Sequence, residues 1–122
     1  MVKIVVIEDE VDLLQDITIW LDFEGFEAVA AKDGEEGLNF IKTTKPDLIL
    51  CDINMPKMDG FEVLKSVRGD PRLEKLPIIM ITSRTGEKHK QQALELGVNQ
   101  YLGKPFQEAE LLKEIEHLIG DA

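Results

Sequence analysis

Short apolar runs alternate with longer amphipathic segments along the whole chain. The segment KIVVI near the start is rich in Val and Ile, and similar short runs recur later in the sequence. Apolar runs of this length, separated by turn residues, are typical of buried strands. The predicted strands are residues 2–7, 26–30, 48–51, 78–81 and 100–102.

Each predicted strand is followed by a segment with apolar residues at helical spacing. Gly25 ends the first of these helices, and Asp33 is an N-cap candidate for the second. Asp59 and Glu62 resemble a capping box at the start of the third helix. Gly97 is a left-handed C-cap candidate for the fourth. The predicted helices are residues 11–24, 33–43, 59–68, 88–96 and 107–119.

This alternation of strands and helices predicts an α/β fold. Strands that alternate with helices form a parallel sheet covered on both faces, and right-handed crossovers restrict the topology to a doubly wound arrangement. In such folds, ligands bind beyond the carboxyl ends of the strands, at the point where the strand order reverses. The residues directly after each predicted strand are therefore the candidates for function.

Length, charge and cysteine content limit the function classes. The chain has 122 residues, enough for one domain with its own core. It carries 24 acidic and 14 basic side chains, a net charge of −10, which disfavours binding to nucleic acids and to anionic membranes. Cys51 is the single cysteine, so no intramolecular disulfide forms and a reducing compartment is expected. The first apolar run is too short for a signal peptide, which favours a cytoplasmic protein.

Polar and charged side chains follow four of the predicted strands. Three carboxylates in one cleft repel one another, and a hard divalent cation such as Mg²⁺ relieves that repulsion. Helix capping is the competing interpretation for an isolated acidic pair, but an acid at a second strand end favours a metal site. The same acids exclude a flavin-phosphate site, since they repel phosphate. The candidates are Glu8 and Asp9 after the first strand, Asp52 after the third, Thr82 after the fourth and Lys104 after the fifth.

Two of these candidates have ordinary interpretations when taken alone. Lys104 either neutralises a phosphoryl group or simply pairs with Asp52. Thr82 either donates to a phosphoryl oxygen or merely ends a strand.

His89 and His117 are predicted to be solvent-facing helix residues without zinc-ligand spacing.

Four motifs, in order and at family-like spacing, resemble those of the two-component response-regulator receiver domain, the CheY-like domain. They are IEDE at 7–10, DINMPKMDG at 52–60, ITS at 81–83 and YLGKPF at 101–106. The resemblance covers 1–122 as a single receiver domain. It implies a flavodoxin-like (βα)₅ fold with strand order 2-1-3-4-5.

The resemblance also implies roles for the strand-end residues. Asp52 is expected to accept a phosphoryl group from a phosphohistidine. Mg²⁺ is expected to bind the side chains of Asp9 and Asp52 and the backbone carbonyl of Asn54, while Glu8 acts through a metal-bound water. Lys104 is expected to contact the phosphoryl oxygens.

A second group of implied roles concerns the response to phosphorylation. Thr82 is expected to move toward the phosphate and Tyr101 to swing inward, which remodels the face made by the fourth helix, fifth strand and fifth helix. Asn54 and Arg84 are expected to tune the phosphate lifetime, although Arg84 is equally well explained as a solvated loop charge. The Lys104-Pro105 peptide is expected to be cis.

The implied function is a regulatory switch and not an enzyme. Its partners are a sensor histidine kinase or a histidine phosphotransfer domain, and a downstream protein or attached domain. A homodimer through the fourth helix, fifth strand and fifth helix is a further expectation. Residues 83–108 resemble receivers fused to chemotaxis-type hybrid histidine kinases, so an excised receiver is possible.

Two alternatives remain open from the sequence. A haloacid-dehalogenase-type, Mg²⁺-dependent phosphatase also uses an Asp at a strand end, but it has a second acid two residues later, where this chain has Asn54. A degenerate receiver that only binds a partner is the other alternative. The intact set of acids, Thr82 and Lys104 argues against it.

Overall fold

Five strands and five helices alternate in the computed structural model, which describes residues 1–55, 57–83 and 87–120. The strands are β1 Lys3–Ile7, β2 Glu27–Ala31, β3 Leu48–Asp52, β4 Ile78–Thr82 and β5 Gln100–Gly103. The helices are α1 Val11–Phe23, α2 Gly34–Thr44, α3 Gly60–Arg68, α4 Glu87–Glu95 and α5 Glu108–Ile119. All ten elements match the predicted ones to within one or two residues at each end.

The strands form one parallel sheet of order β2-β1-β3-β4-β5. This order confirms the doubly wound fold class. Pairing places Ile7 beside Cys51, Asp52 beside Ile81, and Thr82 beside Gly103. The carboxyl ends of β1, β3, β4 and β5 are therefore level at one edge of the sheet.

Helices cover both faces of the sheet, and each face has its own buried cluster. On one face, side chains such as Val5, Ile49 and Met80 pack with buried residues of α2, α3 and α4. On the other face, side chains such as Val6 and Leu50 pack with α1 and α5. Because the three central strands are buried on both sides, burial of apolar surface holds the strand-end residues on a rigid frame.

Local capping fixes several helix ends as the sequence predicts. The side chain of Asp33 accepts a 2.8 Å hydrogen bond from the Glu36 backbone N–H, and Asp59 accepts one of 3.0 Å from Glu62. Gly25 has φ of 89° and Gly97 has φ of 94°, the left-handed conformation that glycine adopts without strain. These caps set where each helix starts or stops relative to the sheet edge.

Arg68, the last residue of α3, links this helix to two other segments at the opposite edge of the sheet. Its guanidinium donates to the carbonyl oxygens of Gly97 (2.9 Å), Glu74 (2.9 Å) and Leu76 (2.7 Å). It also donates to Asn99 Oδ1 at 2.8 Å. We refer to these contacts as the Arg68 clamp. The clamp ties the end of α3 to the α3–β4 connection and to the turn before β5.

Among the described helices, none combines the length and the apolar character needed to cross a membrane.

Candidate functional site

Three carboxylates meet at the carboxyl edge of the sheet. Glu8 and Asp9 follow β1, and Asp52 is the last residue of the adjacent β3. One carboxylate oxygen from each lies within 4.8 Å of the others. Glu8 and Asp52 are buried, whereas Asp9 is exposed. Oxygen ligands packed this closely suit a hard divalent cation such as Mg²⁺, whose charge offsets their mutual repulsion.

Lys104 brings a positive charge into this cluster from the end of β5. Its Nζ lies 2.7 Å from Glu8 Oε1, 3.3 Å from Asp52 Oδ2 and 3.6 Å from Glu10 Oε2. The backbone N–H of Lys104 donates a 2.8 Å hydrogen bond to the carbonyl of Thr82, which anchors the lysine to the end of β4. A single ammonium group thus faces three carboxylates, two of them buried.

The electrostatics of Glu8 reflect this crowding. The pKa of Glu8 is raised to about 7, chiefly by burial and in smaller part by the charge of Asp52. Lys104 and the Glu10 backbone N–H lower this pKa, but by less than burial raises it. Burial lowers the pKa of Lys104, but its hydrogen bond to Glu8 and the charges of Asp52 and Glu8 outweigh burial, so the net shift is upward. Within the described residues, one ammonium group therefore only partly compensates the buried acids. A bound cation would complete the compensation.

In the connection after β3, backbone N–H groups contact Asp52 and the residue that follows it. The Asn54 N–H lies 3.4 Å from Asp52 Oδ1, and the Gly60 N–H donates to the Ile53 carbonyl at 3.0 Å. A Cβ on Gly60 would stand 2.4 Å from the Asp52 carbonyl oxygen. Glycine at this position therefore allows α3 to begin directly against the end of β3.

The remaining candidates occupy the neighbouring strands. Thr82 is buried at the end of β4, in the strand that pairs with β3. Tyr101 is half-buried on β5 beside Met80 and packs against the core cluster under α4. The Lys104-Pro105 peptide is cis. Arg84 lies outside the described residues.

One side-chain placement differs from the sequence prediction. His89 was expected to face solvent, but it is half-buried on α4, and its Nδ1 is buried without a hydrogen-bond partner among the described residues. His117 is exposed, as expected.

Sequence reasoning also missed two contacts of Lys104. The family resemblance implies a role for Glu8 through a metal-bound water but gives no contact with Lys104, which the Glu8 carboxylate meets directly. Glu10 was not assigned a role, although its carboxylate faces the same ammonium. The run of three acids at 8–10 was the available signal, because all three leave the same strand end.

Comparison with known proteins identifies the family. The family model described as the response regulator receiver domain matches residues 4–116. The chain belongs to the response regulator receiver domain family. This match confirms the resemblance carried by the four sequence motifs, and with it the assignment to two-component signalling.

Curated relatives of this receiver domain are longer proteins. The alkaline phosphatase synthesis transcriptional regulatory protein PhoP of Bacillus subtilis is 37% identical over 117 residues, which cover 96% of this chain and 48% of PhoP. The transcriptional regulatory protein CpxR of Escherichia coli K12 is 36% identical, covering 96% of this chain and 49% of CpxR. The receiver domain thus spans about half the length of these relatives.

Solved structures of receivers superimpose on the chain over nearly its full length. The chemotaxis protein CheY4 of Vibrio cholerae gives a TM-score of 0.92 at 34% identity, covering 97% of this chain and 98% of CheY4. The receiver domain of the sensor histidine kinase PA1611 from Pseudomonas aeruginosa gives 0.89 at 28% identity, covering 98% of each chain. The PA1611 structure has a magnesium ion coordinated in its active site cleft.

Proposed function

We propose that this receiver domain is a phosphorylation-dependent switch in which Asp52 is the phosphoacceptor. The observation that carries the proposal is the setting of the Asp52 carboxylate. It is buried at a strand end, 3.3 Å from the Lys104 ammonium, and grouped with Glu8 and Asp9. Phosphoryl transfer needs a positioned nucleophile and neutralisation of the phosphoryl oxygens, and this arrangement supplies both.

The proposed reaction is a displacement at phosphorus. A carboxylate oxygen of Asp52 forms a bond to the phosphorus of a phosphohistidine on a partner kinase or phosphotransfer domain. The P–N bond breaks, and its electron pair stays with the imidazole nitrogen. Lys104, already beside Asp52, then pairs with a phosphoryl oxygen.

Mg²⁺ is the proposed cofactor of this reaction. The side chains of Asp9 and Asp52 and the backbone carbonyl of Asn54 would hold it, and Glu8 would act through a water. Bound there, the cation would supply positive charge to the transferred group. The oxygen-only donor set and the raised pKa of the buried Glu8 support a cation at this position.

The proposed output is a change at the surface of α4, β5 and α5. An aspartyl phosphate adds negative charge and acceptor oxygens beside Thr82, which attract its hydroxyl. Tyr101, half-buried on β5, then moves inward behind Thr82. The altered face would control a downstream protein or an attached domain, or pair with a second copy. Asn54 and Arg84 would set the phosphate lifetime.

The setting of the protein follows from the same proposal. The net charge of −10 supports partners other than nucleic acid for this domain itself. A cytoplasmic location, where sensor kinases present their phosphohistidines, fits the switch. The domain catalyses only its own phosphorylation and slow dephosphorylation.

The proposal is tested by incubating the domain with acetyl phosphate, with and without Mg²⁺, and recording intact mass. We expect one phosphoryl adduct that requires Mg²⁺ and is absent from Asp52→Asn. Asp22→Asn, the same change on the exposed end of α1, is the matched control and is expected to form the adduct normally. A folded protein that forms no adduct under any condition would instead be a phosphorylation-independent binding module.

A further inference from the structure

A small pocket lies at the edge of the sheet where the strands begin, which we call the amino edge. The pocket has a volume of about 250 Å³ and lies between the end of α2 and the α3–β4 connection. We call it the edge pocket. Since a cavity of about 150 Å³ holds a benzene molecule, the edge pocket has room for one aromatic ring. Its lining is Lys42, Lys45, Pro46, Arg72, Leu73 and Leu76.

The edge pocket combines an apolar floor with a cationic rim. Leu73 in the floor is buried and belongs to the core cluster under α2 and α3. On the rim, Arg72 is paired with Asp70 at 3.0 Å, whereas Lys42 and Lys45 form no ion pair with any described residue. The described lining contains no acidic side chain. On a chain with a net charge of −10, the edge pocket is thus a local excess of positive charge.

The end of α1 has the complementary character and lies at the same edge. Phe23 is the last residue of α1, and 88% of its surface is exposed. Asp22 and Glu24 flank it, and both are exposed. The last turn of α1 has no basic residue, so these acids add to the negative end of the helix dipole. We call Phe23 and its two flanking acids the Phe23 knob. An apolar surface with a cationic rim would cover the ring and offset the negative charge.

The fold places the Phe23 knob and the edge pocket where two copies can exchange them. Helix α1 covers one face of the sheet, whereas the floor of the edge pocket belongs to the cluster on the other face. A twofold axis that lies in the plane of the sheet, along the amino edge, exchanges the two faces. It therefore brings the knob of each copy to the pocket side of the other, so that both contacts form at once.

We propose that two copies of the domain associate through their amino edges, with Phe23 of each copy bound in the edge pocket of the other. Asp22 and Glu24 then face the lysines of the pocket rim. The carboxyl edge with Asp52 and the surface of α4, β5 and α5 stay free, so this pairing is separate from the proposed switch and does not depend on it. The contact is small and each copy carries a charge of −10, so the dimer is weak and forms at high protein concentration.

Sedimentation velocity over a range of concentrations tests the proposal by giving the dissociation constant of the dimer. We expect Phe23→Ser to raise this constant by about thirtyfold or more, the effect of losing a buried aromatic anchor. Val11→Ser is the matched control, because Val11 is an exposed apolar residue at the other end of α1. It should leave the dissociation constant unchanged, as should Asp52→Asn.

An exchange of charges tests the predicted ion pairs. Lys45→Glu should raise the dissociation constant by about tenfold, since acid would meet acid in both contacts of the dimer. Glu24→Lys alone should weaken the dimer as well. The variant with both changes keeps the net charge of −10 and should regain most of the lost affinity. Lys32→Glu, an exposed residue directly after β2, alters the net charge as Lys45→Glu does and should have little effect.

Three results would overturn the proposal. The first is an unaltered domain that remains monomeric at a concentration of about 1 mM. The second is an assembly larger than a dimer, because reciprocal contacts close after two copies. The third is a dimer that Phe23→Ser leaves intact, or that Val11→Ser weakens equally, since its interface would then lie elsewhere.

Discussion

Glu8 is the residue at which burial and charge conflict most directly. Its side chain is fully buried, and the ammonium that compensates it comes from Lys104, which also serves Asp52 and Glu10. Burying a carboxylate in this way favours its protonated form. The stability of the metal-free domain should therefore depend on pH through this residue.

The sign of that dependence follows from the direction of the shift. Burial raises the pKa of Glu8 from 4.5 to about 7, so the folded state holds the proton more tightly than the unfolded chain. The stabilisation is full below pH 4.5 and is lost as pH rises toward about 7. We expect urea denaturation in EDTA to show that Glu8→Gln removes this part of the pH dependence.

Glu35→Gln is the control for this measurement, since Glu35 is exposed on α2. It should keep the pH dependence of the unaltered domain. An unchanged pH profile in Glu8→Gln would show that Glu8 titrates in the folded state as it does in the unfolded chain.

Helix α2 owes its position against β1 to a glycine. A Cβ on Gly37 would stand 2.3 Å from Ile7 Cδ1 and 2.5 Å from its Cγ1, and Ile7 is fully buried directly before Glu8. Gly37→Ala gains helix propensity but overpacks the contact, so we expect a net loss of about 1 to 2 kcal/mol in the free energy of unfolding. Urea denaturation measures it.

Asn39→Ala on the same helix provides the comparison, because Asn39 is exposed. It should raise the free energy of unfolding by a few tenths of a kcal/mol, about the size of the propensity difference. If Gly37→Ala also stabilises the domain, Ile7 has moved aside without cost and the contact does not set the helix position.

The Arg68 clamp connects elements that are distant in the sequence. Truncation by Arg68→Ala removes hydrogen bonds to three carbonyl groups and to Asn99. We therefore expect the free energy of unfolding to fall by about 2 kcal/mol. Arg68→Lys should recover less than half of this lost free energy of unfolding, since an ammonium group lacks the planar, forked geometry of a guanidinium group. Hydrogen exchange of the Asn99 and Val98 amides should speed up in both variants.

Lys65→Ala is the control for the clamp, as Lys65 is an exposed cation on the same helix. It should leave both exchange and stability nearly unchanged. Full rescue by lysine would mean that charge, and not the forked hydrogen bonding, holds these segments together.

The elements were predictable where local chemistry determines them. The caps at Asp33 and Asp59 and the glycines at 25 and 97 act within one helical turn, so the sequence alone placed them. The Arg68 clamp spans about 30 residues, and an arginine ending a helix gives no sign of its partners. The contacts of Lys104 with Glu8 and Glu10 were missed for the same reason, because they depend on distances across the sheet edge.

At the scale of the whole molecule, the alternating pattern predicted the doubly wound sheet, and the family resemblance supplied its order. That order is what collects side chains from four strands at one edge. Since the proposed metal site exists only in the folded chain, a bound cation should stabilise the entire domain.

We expect the free energy of unfolding to rise with Mg²⁺ concentration. The rise should reach about 2.7 kcal/mol when free Mg²⁺ is about 100 times its Kd. Calorimetry with and without EDTA measures it, and Asp9→Asn should abolish most of the gain. Asp16→Asn, an exposed acid outside the carboxylate cluster, should retain it. Equal gains in all three proteins would indicate a nonspecific ionic effect on an acidic chain.

The outer strands of the sheet bear on how the domain behaves in concentrated solution. In the described structure, β2 and β5 are each paired on one side only, and an open strand edge is a template for sheet extension between molecules. β5 has four residues and is followed by Lys104 and Pro105, and proline has no N–H to donate. β2 begins at the exposed Glu27, and each copy carries a net charge of −10. Short edge strands on a chain of high net charge favour a domain that resists aggregation through its sheet.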